Sequence, residues 1–69
     1  MEHAQYLIED IPYGEVEDII DGNLGTKVEF LETYGETRNR VSIRYTDEEC
    51  LCSALQDLYD NGASYEQVY

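Results

Sequence analysis

The chain has 69 residues, sixteen Asp and Glu against four Lys and Arg, and a formal charge of −12. So strong a negative balance argues against binding nucleic-acid phosphates or an anionic membrane through bulk electrostatics. A fold of this length leaves little interior for a substrate cleft, which disfavours an enzyme and points to one small interaction domain over 1–69.

Residues 4–11 (AQYLIEDI) suit a strand or a short helix, and Pro12 favours the strand by pushing its predecessor out of the α region. In YGEVEDIIDGN (13–23), Val16, Ile19 and Ile20 recur at helical spacing, Glu15, Glu17, Asp18 and Asp21 fill the rest of the wheel, and Gly22-Asn23 stops the turn. Residues 26–34 (TKVEFLETY) and 39–45 (NRVSIRY) alternate, which predicts a β-hairpin turning at Gly35-Glu36-Thr37. Val28, Phe30 and Tyr34 are expected on one hairpin face. Val41, Ile43 and Tyr45 are expected inward, with Arg40, Ser42 and Arg44 outward.

Thr46 followed by Glu49 has the capping-box spacing and opens a second helix. Leu51, Ala54, Leu55 and Leu58 form its buried stripe, Asn61-Gly62 closes it, and Ser64 can start one more helical turn through Tyr65–Tyr69. The expected fold is α+β. It has a small three-stranded antiparallel sheet in the order βαββα, with one or two helices on one face. The apolar periodicity and the single proline argue for a folded chain rather than an acidic disordered one.

The charges are distributed unevenly. Residues 1–26 and 46–69 carry seven and six carboxylates and no Lys or Arg, while Lys27, Arg38, Arg40 and Arg44 all fall in the hairpin. Cross-strand pairing of Lys27 and Glu29 with Arg40 and Arg44 is expected to neutralise that segment. The helical projection turns Glu49 and Asp60 away from the leucine stripe and puts Asp57 at its shoulder; Asp18 and Asp21 likewise face outward. Seven of the eight aromatic residues are tyrosine, a residue type enriched at interfaces. The candidate partner-binding residues are therefore Tyr13, Glu15, Glu17, Asp18, Asp21, Glu49, Asp57, Tyr59 and Asp60.

A short, very acidic, tyrosine-bearing domain resembles the small phage-borne inhibitors of host defence, the anti-CRISPR proteins and DNA mimics. The resemblance rests on size, charge and architecture over the whole chain. It implies a non-enzymatic inhibitor that docks on a nucleic-acid-binding effector, such as a CRISPR nuclease complex, and blocks its basic DNA-binding surface. Such a protein would be a monomer or homodimer, would need no cofactor, and would work in the cytoplasm of a host cell. Two other readings remain. One is a module that binds by shape, as a transcription regulator, antitoxin or adaptor does; the other is an acidic domain adapted to a salty cytosol.

Other chemistry is weakly supported. Cys50 and Cys52 lie one residue apart, about 200° around a helix, so they cannot close on one ion and read as packing residues of a reducing compartment. His3 stands alone near the start, with no partner to make it a general base. Asp18-x-x-Asp21 and Asp47-Glu48-Glu49 lack the alternating oxygen ligands of a calcium loop. No apolar run reaches the roughly 18 residues of a spanning helix, and MEHAQYLIED lacks the basic start of a signal peptide.

Overall fold

The computed structural model describes residues 2–68. Six elements follow in the order β1 (Glu2–Glu9), α1 (Tyr13–Asp21), β2 (Thr26–Gly35), β3 (Arg38–Tyr45), α2 (Glu48–Asp60) and β4 (Ser64–Gln67). The α+β class is as expected, but the antiparallel sheet has four strands in the order β2-β3-β1-β4. A βαββαβ chain that places β3 between β1 and β2, and β1 between β3 and β4, has the connectivity of the split βαβ, or ferredoxin-like, arrangement. No helix among the described residues is long and apolar enough to cross a membrane.

The two helices cover one sheet face. Ala4, Tyr6 and Ile8 of β1 alternate with half-exposed Gln5, Leu7 and Glu9, and lie opposite Ile43, Val41 and Asn39 of β3. Their shared face packs against Val16 and Ile20 of α1 and against Leu51, Leu55 and Leu58 of α2. Each helix thus presents one apolar stripe to the sheet, and among the described residues no element covers its polar side.

The terminal segment differs from expectation. Ser64–Gln67 is a strand rather than a helical turn, and only Tyr69 of the expected turn lies outside the described residues. α2 ends in a Schellman motif, with Ala63 N–H donating to Leu58 O and Gly62 N–H to Tyr59 O. Gly62 takes φ +94°, a left-handed conformation that costs glycine little, and turns the chain back along β1. There Tyr65 pairs with Ile8, and its ring meets Tyr6 edge-on with centroids 5.9 Å apart. Burial, assisted by the Tyr45 and Tyr65 phenols, raises the Tyr6 hydroxyl above its ordinary pKa of 10.0.

The hairpin forms where expected, with one internal correction. The register shifts between Val28 and Phe30 and again between Thr33 and Gly35, so β2 carries bulges. An extra residue reverses the alternation beyond it. Leu31 takes the inward place opposite Val41, while Phe30 pairs with Ser42 on the uncovered sheet face and is 59% exposed. Tyr34 is exposed as well.

Two polar side chains hold the loops. Buried Asn39 donates to Ile8 O and Ile11 O, fixing the exit from β1 around Asp10, which has φ +77°. Thr26 Oγ1 donates to Ile20 O at 2.7 Å and fastens the start of β2 to the end of α1.

Candidate functional site: a carboxylate layer on the helices

Charge is sorted by layer. With the α2 cap included, the helices hold Glu15, Glu17, Asp18, Asp21, Asp47, Glu48, Glu49, Asp57 and Asp60, and no cation. The other seven carboxylates share the strands and turns with all four Lys and Arg. All nine helical carboxylates are exposed, and none makes an ion pair with a base among the described residues.

The cations are used differently from the expected hairpin neutralisation. Arg38 Nε reaches Glu9 at 3.5 Å, and Arg40 donates to Gln5. Lys27 lies directly opposite Arg44, a like-charge pair. Glu29, at the bulge, is met instead by His3, 2.9 Å from its carboxylate. His3 therefore lies in an ordered strand with a partner, contrary to expectation, although both side chains are about half exposed.

Eight of the nine carboxylates fall into two groups by helix position, and Glu17 lies in the middle of α1. Glu15, Asp47, Glu48 and Glu49 sit at or near N-termini, where a negative charge complements the helix dipole. The α2 cap is Asp47 rather than Thr46, with Asp47 Oδ1 accepting from Cys50 N–H at 2.9 Å. That bond holds the Asp47 carboxyl below the usual carboxylate range. Folding alone accounts for such placements.

Asp18 and Asp21 of α1, and Asp57 and Asp60 of α2, lie in the C-terminal turns, and neither last turn contains a basic residue. A carboxylate there faces the negative end of the dipole, a cost of about 0.3–1 kcal/mol per charge at a surface. Three of the four recover part of that cost through hydrogen bonds. Asp21 Oδ1 accepts from Val28 N–H, Asp57 Oδ2 from Asn23 Nδ2, and Asp60 Oδ1 from Gln56 Nε2. Asp18, like Glu15, Glu17 and Glu49, has no side-chain partner among the described residues.

Asn23 joins the two helices and was not expected to do so. It follows α1 and reads in sequence only as a helix stop. Its Nδ2 donates to Ile19 O and Asp57 Oδ2, and its Oδ1 accepts from Ser53 Oγ at 3.2 Å. One side chain thus links the end of α1 to the middle of α2 and sets the spacing between their carboxylates. Contacts between Asn23 and residues 30 and 34 positions away leave no mark in local sequence.

Tyr13 begins α1 and is 58% exposed; Tyr59, near the end of α2, is 64% exposed. Tyr6 and Tyr45 are core residues. Cys50 and Cys52 are free thiols, with Cys50 half-buried against Gly25 and Thr46. Among the described residues no three His, Cys, Asp or Glu side chains converge on a point suited to a metal ion. Comparison with protein-family models, with curated proteins and with solved structures finds no match to this chain.

Proposed function

We propose that the protein inhibits a nucleic-acid-binding effector, a CRISPR nuclease complex or a similar defence or repair enzyme, by presenting its helical layer to the effector's basic DNA-binding surface. The observation carrying this reading is the C-terminal quartet Asp18, Asp21, Asp57 and Asp60. These charges oppose both helix dipoles and have no cationic partner among the described residues; hydrogen bonds offset part of that cost at Asp21, Asp57 and Asp60, and none does at Asp18.

The dimensions support it. The molecule is 29 Å long, and duplex DNA of that length carries about 17 phosphate charges, of which roughly half face any one side. The helical layer holds nine exposed carboxylates. A basic groove meeting this layer would release the counterions of both surfaces and satisfy its Arg and Lys side chains as phosphates do. Tyr13 and Tyr59 add large contact area with a polar tip at two points of the layer.

The test is displacement of a labelled 25-base-pair duplex from a panel of purified DNA-binding nucleases, RNA-guided enzymes included. The wild-type protein is expected to displace DNA from at least one, with affinity falling steeply between about 50 and 200 mM salt. Asp18→Lys, Glu49→Lys and Asp60→Lys together, chosen to spare the Asp21 and Asp57 hydrogen bonds, should remove displacement while circular dichroism remains unchanged. Displacement that survives the triple reversal, or none from any member, would refute the proposal.

A further inference from the structure

A second surface is carried by the backbone of β2. This strand is ten residues long and lies at the sheet edge, so among the described residues one side of its backbone has no neighbouring strand. Its first outward groups are guarded: Thr26 N–H donates to Asn23 O, and Val28 N–H to the Asp21 carboxylate. In an antiparallel ladder the inward and outward roles alternate. Because β3 keeps its alternation while β2 bulges, Phe30 and Glu32 face Ser42 and Arg40 as bonded pairs, and Leu31 and Thr33 turn their N–H and C=O groups outward. Among the described residues no element pairs with that edge.

The flanking surface is shaped for side chains of alternating character. Two adjoining grooves of about 650 and 640 Å³ run beside the edge and share Tyr13 and Thr33 in their walls. Pro12 and Tyr13 give an apolar floor, while Glu17, Glu29 and Glu36 supply the charge, with no Lys or Arg in either lining. A second copy of the chain would bring another −12 to this edge. Charge complementarity selects a cationic strand instead.

We infer that the β2 edge at Leu31–Thr33 takes up an extended, cationic segment of a partner protein as a fifth strand, its apolar side chains against Tyr13 and its basic ones towards Glu17, Glu29 and Glu36. This is strand addition, in which main-chain hydrogen bonds supply affinity and flanking pockets supply selectivity. It stands whether or not the helical layer substitutes for DNA.

The probes are two blocked octapeptides of equal charge, (Lys-Val)4, which can add as a strand, and (Lys-Pro)4, which lacks the alternate N–H donors. With ¹⁵N-labelled protein, (Lys-Val)4 should bind at least about tenfold tighter, the equivalent of one to two net hydrogen bonds. The Leu31 and Thr33 amides should shift most and become protected from exchange. Thr33→Pro removes an outward N–H, which an edge strand tolerates, and should reduce (Lys-Val)4 to the (Lys-Pro)4 level while leaving the latter unchanged. Thr33→Ala should bind as wild type. Asp18→Lys with Asp60→Lys should weaken both peptides by the same factor, separating attraction to the helical layer from edge binding. Equal affinity for the two peptides overturns the inference. So does protection of Leu31 and Thr33 in the free protein with concentration-dependent dimerisation, which would make a second copy the occupant.

Discussion

If the C-terminal carboxylates serve a partner rather than the fold, neutralising them should stabilise the protein. Asp18→Asn with Asp60→Asn is the informative pair. Asp18 has no side-chain partner among the described residues, and the amide oxygen introduced by Asp60→Asn could still accept from Gln56. Each substitution removes a charge from a C-terminal turn, worth about 0.3–1 kcal/mol. Each also relieves repulsion at spacing i, i+3, with Asp21 in α1 and Asp57 in α2, worth about 0.2–0.5 kcal/mol. Together the pair should gain about 1–3 kcal/mol at low ionic strength. For a domain of this size each kcal/mol moves Tm by roughly 4–8 °C, so a rise of at least about 4 °C is expected by calorimetry at 10 mM salt. At 1 M salt, where the screening length is about 3 Å, most of the gain should vanish. The same variant should be weaker in duplex displacement. A lower Tm at low salt would show that these carboxylates support the fold, and would remove the main argument for a surface shaped by a partner. Wild-type protein that folds only in concentrated salt would instead favour an acidic domain adapted to a salty cytosol.

Two further outcomes follow from local geometry. Gly25→Ala should be far more damaging than Gly62→Ala in urea unfolding. Both glycines have positive φ, so each alanine carries the left-handed penalty of about 1–2 kcal/mol; only at Gly25 would the new Cβ also meet Cys50 Sγ at 2.5 Å and Thr46 Oγ1 at 2.7 Å, whereas Gly62 faces open space. Asp47→Ala should destabilise at neutral pH by leaving Cys50 N–H uncapped. Because folding lowers the Asp47 pKa, its stabilisation is present above the unfolded value and lost as pH falls through the folded one. The difference between Asp47→Ala and wild type should therefore shrink in acid, and a gap constant from pH 7 to pH 2 would contradict the cap.

Much of the local architecture is legible in the residues themselves. The stripes Val16-Ile20 and Leu51-Ala54-Leu55-Leu58 specify two helices because burial of one face at 3.6-residue spacing has no other simple solution. The alternation of residues 39–45 specifies β3, and the absence of Lys and Arg from both helical segments is plain in one dimension. The outward direction of Asp18, Asp21, Glu49 and Asp60 also follows, since the side of a helix opposite its apolar stripe has nowhere else to point; the exposure of Tyr13 and Tyr59, which lie beside the stripes, does not.

Other features depend on partners distant along the chain. Ser64–Gln67 is too short for periodicity to separate a helical turn from a strand; the vacant edge of β1 and the Tyr6 ring settle it as a strand. The bulge at Glu29 turns Phe30 out and Leu31 in, because the register of a hairpin belongs to the pair and not to either strand. Likewise Asp21 and Asp57 become guards of Val28 N–H and Asn23 only once α1, β2 and α2 meet. Spacing along one element governs which way a side chain points, whereas the hydrogen bond it makes depends on atoms that folding brings from elsewhere.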